Sequence, residues 1–335
     1  MTDSSVTADI PVEIPRYGRP APVSRILGWS MLTLLVAFLA ENVLIVSFGL
    51  PGFSAAFSGG DGLAWVQVAL YAAAVILTVL FVLRTPDRAL RWDAQMIHRF
   101  NLFIIRGFFW MVVLVGVVDS TIAFMRVENL LDYFMGEDAV RALTRAHFVG
   151  PWIHMPLVAV AFVIAAFTRT LGFTWLALLI VGAELLIVIT RFVFSYEQAL
   201  MGDLVRYWYA ALFLFASAYT LFDEGHVRVD VLYAGFGRRT RGYVNAFGSI
   251  LLGLSTMWVI VYIGFDGKQA IINGPISNFE ISQTGAVGMF IKYQMAGFIG
   301  IFAITMMVQF VSYFFEAVAD LRDEPGHRDH QPVTH

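Results

Sequence analysis

The sequence predicts an all-α integral membrane protein of about eight transmembrane helices, with both termini cytoplasmic and amphipathic helices at the interface. Three observations lead there. Of 335 residues, 59% are hydrophobic and 14% charged, with mean hydropathy +0.72, against roughly 45–50% and 25% in a soluble domain. Apolar runs near 20 residues recur along almost the whole chain, so lipid is the main apolar solvent. Runs such as LAWVQVALYAAAVILTVLFVL carry no polar stripe at helical spacing, unlike helices packed in a soluble core. The lack of period-2 alternation excludes a β-barrel.

The elements follow in order. Residues 1–25 form a polar, acidic tail without a basic region ahead of an apolar run too long for a signal peptide, and are expected to be a retained cytoplasmic segment. Eight spans are placed at roughly 26–50, 62–83, 103–125, 150–168, 172–194, 205–222, 243–265 and 288–317. Between the third and fourth, residues 127–148 set Leu130, Leu131, Phe134, Val140 and Leu143 around a Gly-Glu-Asp break. That pattern suits two short amphipathic helices at the interface. The connection at 266–287, with Gly267, Gly274, Pro275 and Gly285, reads as an irregular outer loop, partly re-entrant. The chain divides into the tail, a four-helix N-terminal extension at 26–169, a second four-helix region at 170–321 and a cytoplasmic C-terminal tail at 322–335.

Basic residues test this count, because short cytoplasmic loops collect Lys and Arg. Eight spans put 15 basic residues on the inner side, among them Arg84, Arg88, Arg91, Arg99 and Arg106, and 7 on the outer side. Both termini inside is the topology this asymmetry favours.

Composition also narrows chemistry. The net charge is −3 and 20 of the 22 basic residues are Arg, clustered between apolar runs without forming a stripe, so nucleic-acid binding has no footprint. With no Cys there are no disulfides, thiolate metal sites or Cys nucleophiles. Only two Lys are present and neither follows a GxxxxG loop, so ATP hydrolysis has no sequence support, and GxGxxG is missing too. His98 and His226 read as loop residues and His327, His330 and His335 as tail residues, which leaves His147 and His154 near one surface and no axial pair for haem. No enzyme activity, metal or cofactor is expected.

Charges at bilayer depth mark functional or structural sites. Glu41, Asp119, Glu184 and Arg191 are the candidates. Glu184 and Arg191 lie two turns apart on one helix face and are read as interhelical glue. Glu41 and Asp119 are read either as a proton or cation relay or, more simply, as carboxylates hydrogen-bonded to Ser, Thr or Asn on neighbouring helices. Span interiors lack the Gly- or Pro-interrupted half-helices of carriers. Trp175, Trp208, Tyr207 and Tyr209 fall where aromatic belts belong.

The most informative stretch follows span six: LFDEGHVRVDVLYAGFGRRTRGYVNAFGS. His226, Arg228 and Asp230 alternate with valines, as in a short extended segment with one polar face that docks on a partner. Arg238, Arg239 and Arg241 follow and suit anionic lipid headgroups, at about 1 kcal/mol each. The string resembles the HVRVDVLY signature of the small permease subunit of TRAP (tripartite ATP-independent periplasmic) transporters. The resemblance extends back to Arg191-Phe192-Val193-Phe194, similar to an R-Y-x-F element, and forward to Phe279-Glu280-Ile281-Ser282, similar to an E-x-S of the outer loop. It covers about 172–321. The first four spans lie outside the common pattern and compare with the enlarged small subunits of the mannitol or chloroaromatic compound type.

The resemblance implies a fixed membrane scaffold in the bacterial inner membrane. A large permease subunit carries an organic acid and sodium, a periplasmic binding protein delivers the solute, and structural phospholipid surrounds the complex. His226, Arg228, Asp230, Glu280 and Ser282 then serve fold and partner contacts and are not substrate ligands. Two other classes compete. One is a self-sufficient ion-coupled carrier or channel using Glu41 and Asp119; the other is a lipid-modifying enzyme built on His147, His154, Glu137 and Asp138.

Overall fold

Inside a bilayer each backbone N–H and C=O must be satisfied within its own segment, so apolar runs of this length become helices. The computed structural model describes residues 14–59, 62–169, 172–196, 199–222, 233–282 and 285–327, and among these no strand occurs. Its long helices are α1 Pro22–Phe48, α2 Ala64–Arg84, α3 Leu90–Val127, α4 Ala146–Phe167, α5 Phe173–Phe194, α6 Ala199–Phe222, α7 Arg238–Phe265 and α8 Lys292–Leu321. Local chemistry sets several ends. Pro22 opens α1, where its missing N–H is harmless. Gly49 closes it in the left-handed region at φ 69°. Pro86 follows the last turn of α2 and disfavours further helix.

Among the described residues, seven of these helices are long and apolar enough to cross a membrane. The exception is α6, which contains the sixth predicted span. Its 24 residues suffice for length, but Asp203, Arg206, Tyr207, Trp208 and Tyr209 dilute its first half. Its contacts still carry it along the full height of the bundle. Asp203 meets the Met289 backbone at one end, and the Phe222 ring stacks on His98 at 3.3 Å at the other.

The third span also differs from expectation. α3 has 38 residues and so rises about 57 Å, well beyond a hydrocarbon core of about 30 Å. Arg91, His98, Arg99 and Arg106 are therefore helical and not loop residues; their charges interrupt the apolar run without interrupting the helix. Two spans that read as uninterrupted contain a π turn, Gly150–His154 in α4 and Ser249–Leu254 in α7. Each widens the helix by one residue per turn and redirects the side chains beyond it. The two short helices expected in 127–148 are Leu131–Phe134 and Glu137–Leu143. Among its described residues the outer loop holds two short turns, α-helical Asn273–Ser277 and 3₁₀ Gly285–Val287, with Ile272 and Asn273 buried.

The core is organised around α8, which packs on α1, α3, α6 and α7. α3 in turn packs on α4 and α6. Phe109, Phe215 and Phe298, one from each of α3, α6 and α8, meet at the centre with ring centroids 4.9 Å apart for Phe215–Phe298 and 5.9 Å for Phe109–Phe215. α5 is peripheral, packs chiefly on α6, and is mostly exposed. Tyr207 and Trp208, predicted to lie in an aromatic belt, are buried against α8 and α3, whereas Trp175 and Tyr209 are exposed as a belt requires. The two ends of the described chain lie on one face. The Gly18 N–H donates to Asp87 O at 2.7 Å, and Arg322 donates to the Arg19 and Pro20 carbonyls.

Candidate functional site

With apolar packing isotropic in lipid, the register of one helix against another is fixed by polar contacts between them. The structure holds these in tiers along α3 and α8. The outer tier starts at Asp119 on α3, fully buried. Its Oδ2 accepts the Phe290 backbone N–H at 2.7 Å, just before α8, and its Oδ1 lies 3.3 Å from His154 Nε2. His154 ends the π turn of α4, which aims its ring into the bundle. Its Nδ1 lies 2.8 Å from the Tyr293 hydroxyl, which also accepts from Gln294 Nε2 at 3.0 Å. The Tyr207 hydroxyl of α6 donates to Gln294 Oε1. One proton assignment satisfies the chain: Gln294 donates to Tyr293, Tyr293 to His154, and His154 through Nε2 to Asp119. Arg126 caps the tier, 4.1 Å over the Phe290 ring and donating to Gly288 O at 2.5 Å.

A middle tier joins the same helices. His98 Nδ1 lies 2.9 Å from Gln309 Oε1, Asn101 donates to Thr305 O at 2.9 Å, and Ser312 donates to Ala94 O at 2.9 Å. The third tier is ionic. Arg91 donates to Glu316 and Asp320, each at 2.6 Å, and Arg25 pairs with Asp93 at 2.8 Å with both side chains fully buried. Trp29 Nε1 donates to the same Asp93 oxygen at 2.9 Å.

The predicted residues distribute unevenly over these tiers. Glu41 accepts from the Tyr71 hydroxyl at 2.5 Å and the Phe53 N–H at 2.6 Å. Glu41 and Asp119 are thus held by tyrosine, histidine and backbone donors instead of the expected Ser, Thr or Asn. They do not share a cluster. Glu184 and Arg191 are both exposed on α5. Arg238 reaches Glu324 O and lies 3.7 Å from Asp320; Arg239 pairs with Asp323 at 2.7 Å; Arg241 sits over the Tyr233 ring. Arg238 and Arg239 therefore engage the C-terminal segment, whereas Arg241 stays with Tyr233. The Arg239 guanidinium holds the Asp323 carboxyl below the usual carboxylate range. Glu280 pairs with Lys292 at 2.6 Å, and the Ser282 N–H donates to Met289 O. His226, Arg228 and Asp230 lie outside the described residues.

The local cluster required by an enzyme does not assemble. Glu137 is exposed and paired with Arg141, whereas His154 is sealed. Among the described residues no three His, Asp or Glu side chains gather as a metal site. Sequence reading missed Arg25, Asp93, His98 and His154 as contributors. Arg25, His98 and His154 lie within five residues of a predicted span end, whereas Asp93 falls midway between two spans and carried no such signal.

The fold and these closed polar tiers define a multi-pass helical membrane protein. Residues 179–319 match the family model described as Tripartite ATP-independent periplasmic transporters, DctQ component. The match begins within α5 and ends near the end of α8, and this part of the chain is similar to the small permease component of TRAP transporters. The match falls within the 172–321 segment that carried the resemblance, and α1 to α4 lie outside it. The family is one of transporter components and not of enzymes, and its transporters work with a large permease and a periplasmic binding protein. No curated protein and no solved structure matches the chain.

Proposed function

We propose that the chain is the enlarged small permease subunit of a sodium-coupled, binding-protein-dependent TRAP transporter importing an organic acid or related anionic solute. It sits in the bacterial inner membrane with both ends cytoplasmic and acts as a non-catalytic scaffold for the large, substrate-carrying subunit. The observation that carries this reading is the family match over 179–319. The polar tiers support the scaffold role. Asp119, Asp93 and Glu316 are each occupied by donors from another part of the chain, which favours one rigid arrangement over the alternating states of a carrier. On this proposal His226, Arg228 and Asp230 contact the partner, and Arg239 and Arg241 meet anionic headgroups around the same end. Sodium is held by the large subunit. The carrier reading has less support, since Glu41 and Asp119 belong to separate clusters and each accepts a backbone N–H.

Expression of the tagged chain with the reading frames adjoining its gene tests the proposal. A large multi-span subunit is expected to co-purify in stoichiometric amount, and uptake in proteoliposomes is expected to need that subunit, the binding protein and sodium. Flux through the chain alone would overturn the scaffold role.

A further inference from the structure

α5 packs chiefly on α6. Leu176 and Ala183 are its buried residues, Phe173, Leu179, Ile180 and Ile187 are half-buried against the core, and the opposite face is open. That surface is almost wholly apolar: Leu178, Val181, Leu185, Val188 and Phe192 are each about half exposed or more. Glu184 interrupts it. The residue lies 11 positions beyond Phe173 in a 22-residue span, which is about 16 Å along the axis and hence close to mid-depth. Its side chain is exposed, and none of the described residues forms a hydrogen bond or ion pair with it. Helical geometry sets Val181, Glu184, Val188 and Arg191 on one face.

A carboxylate facing lipid at that depth is unfavourable by several kcal/mol. Elsewhere in this chain the same chemistry is handled by pairing: Asp119, Glu41 and Asp93 all accept from neighbours. Glu184 requires a donor that none of the described residues supplies. Water is a poor source, because Arg191 lies two turns away on this face and the residues between it and Glu184 are apolar. A second copy of the chain also lacks charge complementarity there, since a symmetric contact through this face sets two carboxylates near one another.

We infer that the α5 face centred on Glu184 seats a transmembrane helix of the large permease subunit, one that brings a basic or amide side chain to mid-membrane depth. The inference rests on the assembly proposed above and adds its location and chemistry. Val181 and Val188 flank the contact one turn to either side, and apolar packing against them excludes lipid from the pair.

The test uses the complex of the full chain with the large subunit. A photo-crosslinking residue is placed at Val181 or Val188 and, as a control, at Ile76, which is exposed on α2 outside the matched region. Crosslinks to the large subunit are expected from Val181 and Val188 and not from Ile76. Glu184→Leu is expected to lower retention of the large subunit by about three- to tenfold, matching one interhelical hydrogen bond in a membrane. Glu184→Gln, which keeps a polar partner, is expected to lower it less. A wild-type complex that forms but crosslinks through α5 only to lipid or to a second copy overturns the inference and leaves the assembly standing. Unchanged retention in Glu184→Leu does the same. A chain recovered without any large subunit overturns both.

Discussion

Asp119 and Phe290 are 171 residues apart in sequence, yet the carboxylate of the first accepts the backbone N–H of the second at 2.7 Å, with both atoms buried. The bond fixes the height of α8 against α3 just where the outer loop enters the bundle. Replacing Asp119 by Leu strands that N–H together with His154, a loss expected at about 1–3 kcal/mol. Asp119→Asn keeps a carbonyl acceptor and should lose less. Melting of the detergent-solubilised protein, followed by size exclusion, ranks the two variants against wild type. Equal melting for Asp119→Leu and wild type would contradict the tie.

Arg25 and Asp93 form an ion pair with neither side chain exposed. Removing one partner leaves a buried charge, so Arg25→Met and Asp93→Leu should each destabilise by about 3–5 kcal/mol, while the double variant should recover much of the loss. A double-mutant cycle in chemical unfolding reads the coupling. Additive single losses would show that the two charges act independently.

Two glycines on long helices should respond oppositely to alanine. A methyl at Gly107 on α3 meets the Phe162 ring of α4 at 2.5 Å, whereas one at Gly182 on α5 meets nothing within 4 Å. Gly107→Ala is expected to cost about 1–3 kcal/mol through overcrowding. Gly182→Ala is expected to leave the isolated chain unchanged or slightly more stable, because alanine favours helix over glycine. The same melting assay separates them.

The natural lack of cysteine makes sidedness directly testable. Arg239, in the first turn of α7, and Asn278, beyond its far end, are both exposed. Single cysteines at these positions should label with an impermeant reagent from opposite sides of the membrane, Arg239 from the cytoplasm. Labelling from the same side would remove α7 as a crossing helix.

Apolar run length was sufficient to place the long helices, because lipid enforces helix wherever side chains permit it. Run length failed where polar residues belong to a buried surface. His98 reads as a loop residue because Arg91 and Arg99 flank it, yet Glu316 and Asp320 on α8 compensate Arg91, and Gln309 meets His98, from more than 200 positions away. The dilute first half of α6 has the same origin, since Tyr207 and Trp208 face α8 and α3 instead of lipid. Asp119 and Glu41 were legible as buried acids, but their partners were not. A single sequence carries no record of which distant donor closes on which carboxylate. The π turn that aims His154 also left no mark in the hydropathy pattern.

The ionic tier at the shared chain ends has a consequence for biogenesis. Arg91 emerges from the ribosome 225 residues ahead of Glu316 and 229 ahead of Asp320, which is about 11–45 s at usual synthesis rates. Until α8 follows, the half-made protein holds α3 with Arg91 and His98 lacking their α8 partners. Such a chain is a natural client for insertion chaperones and quality-control proteases, and truncation before α8 removes the element that releases it from both.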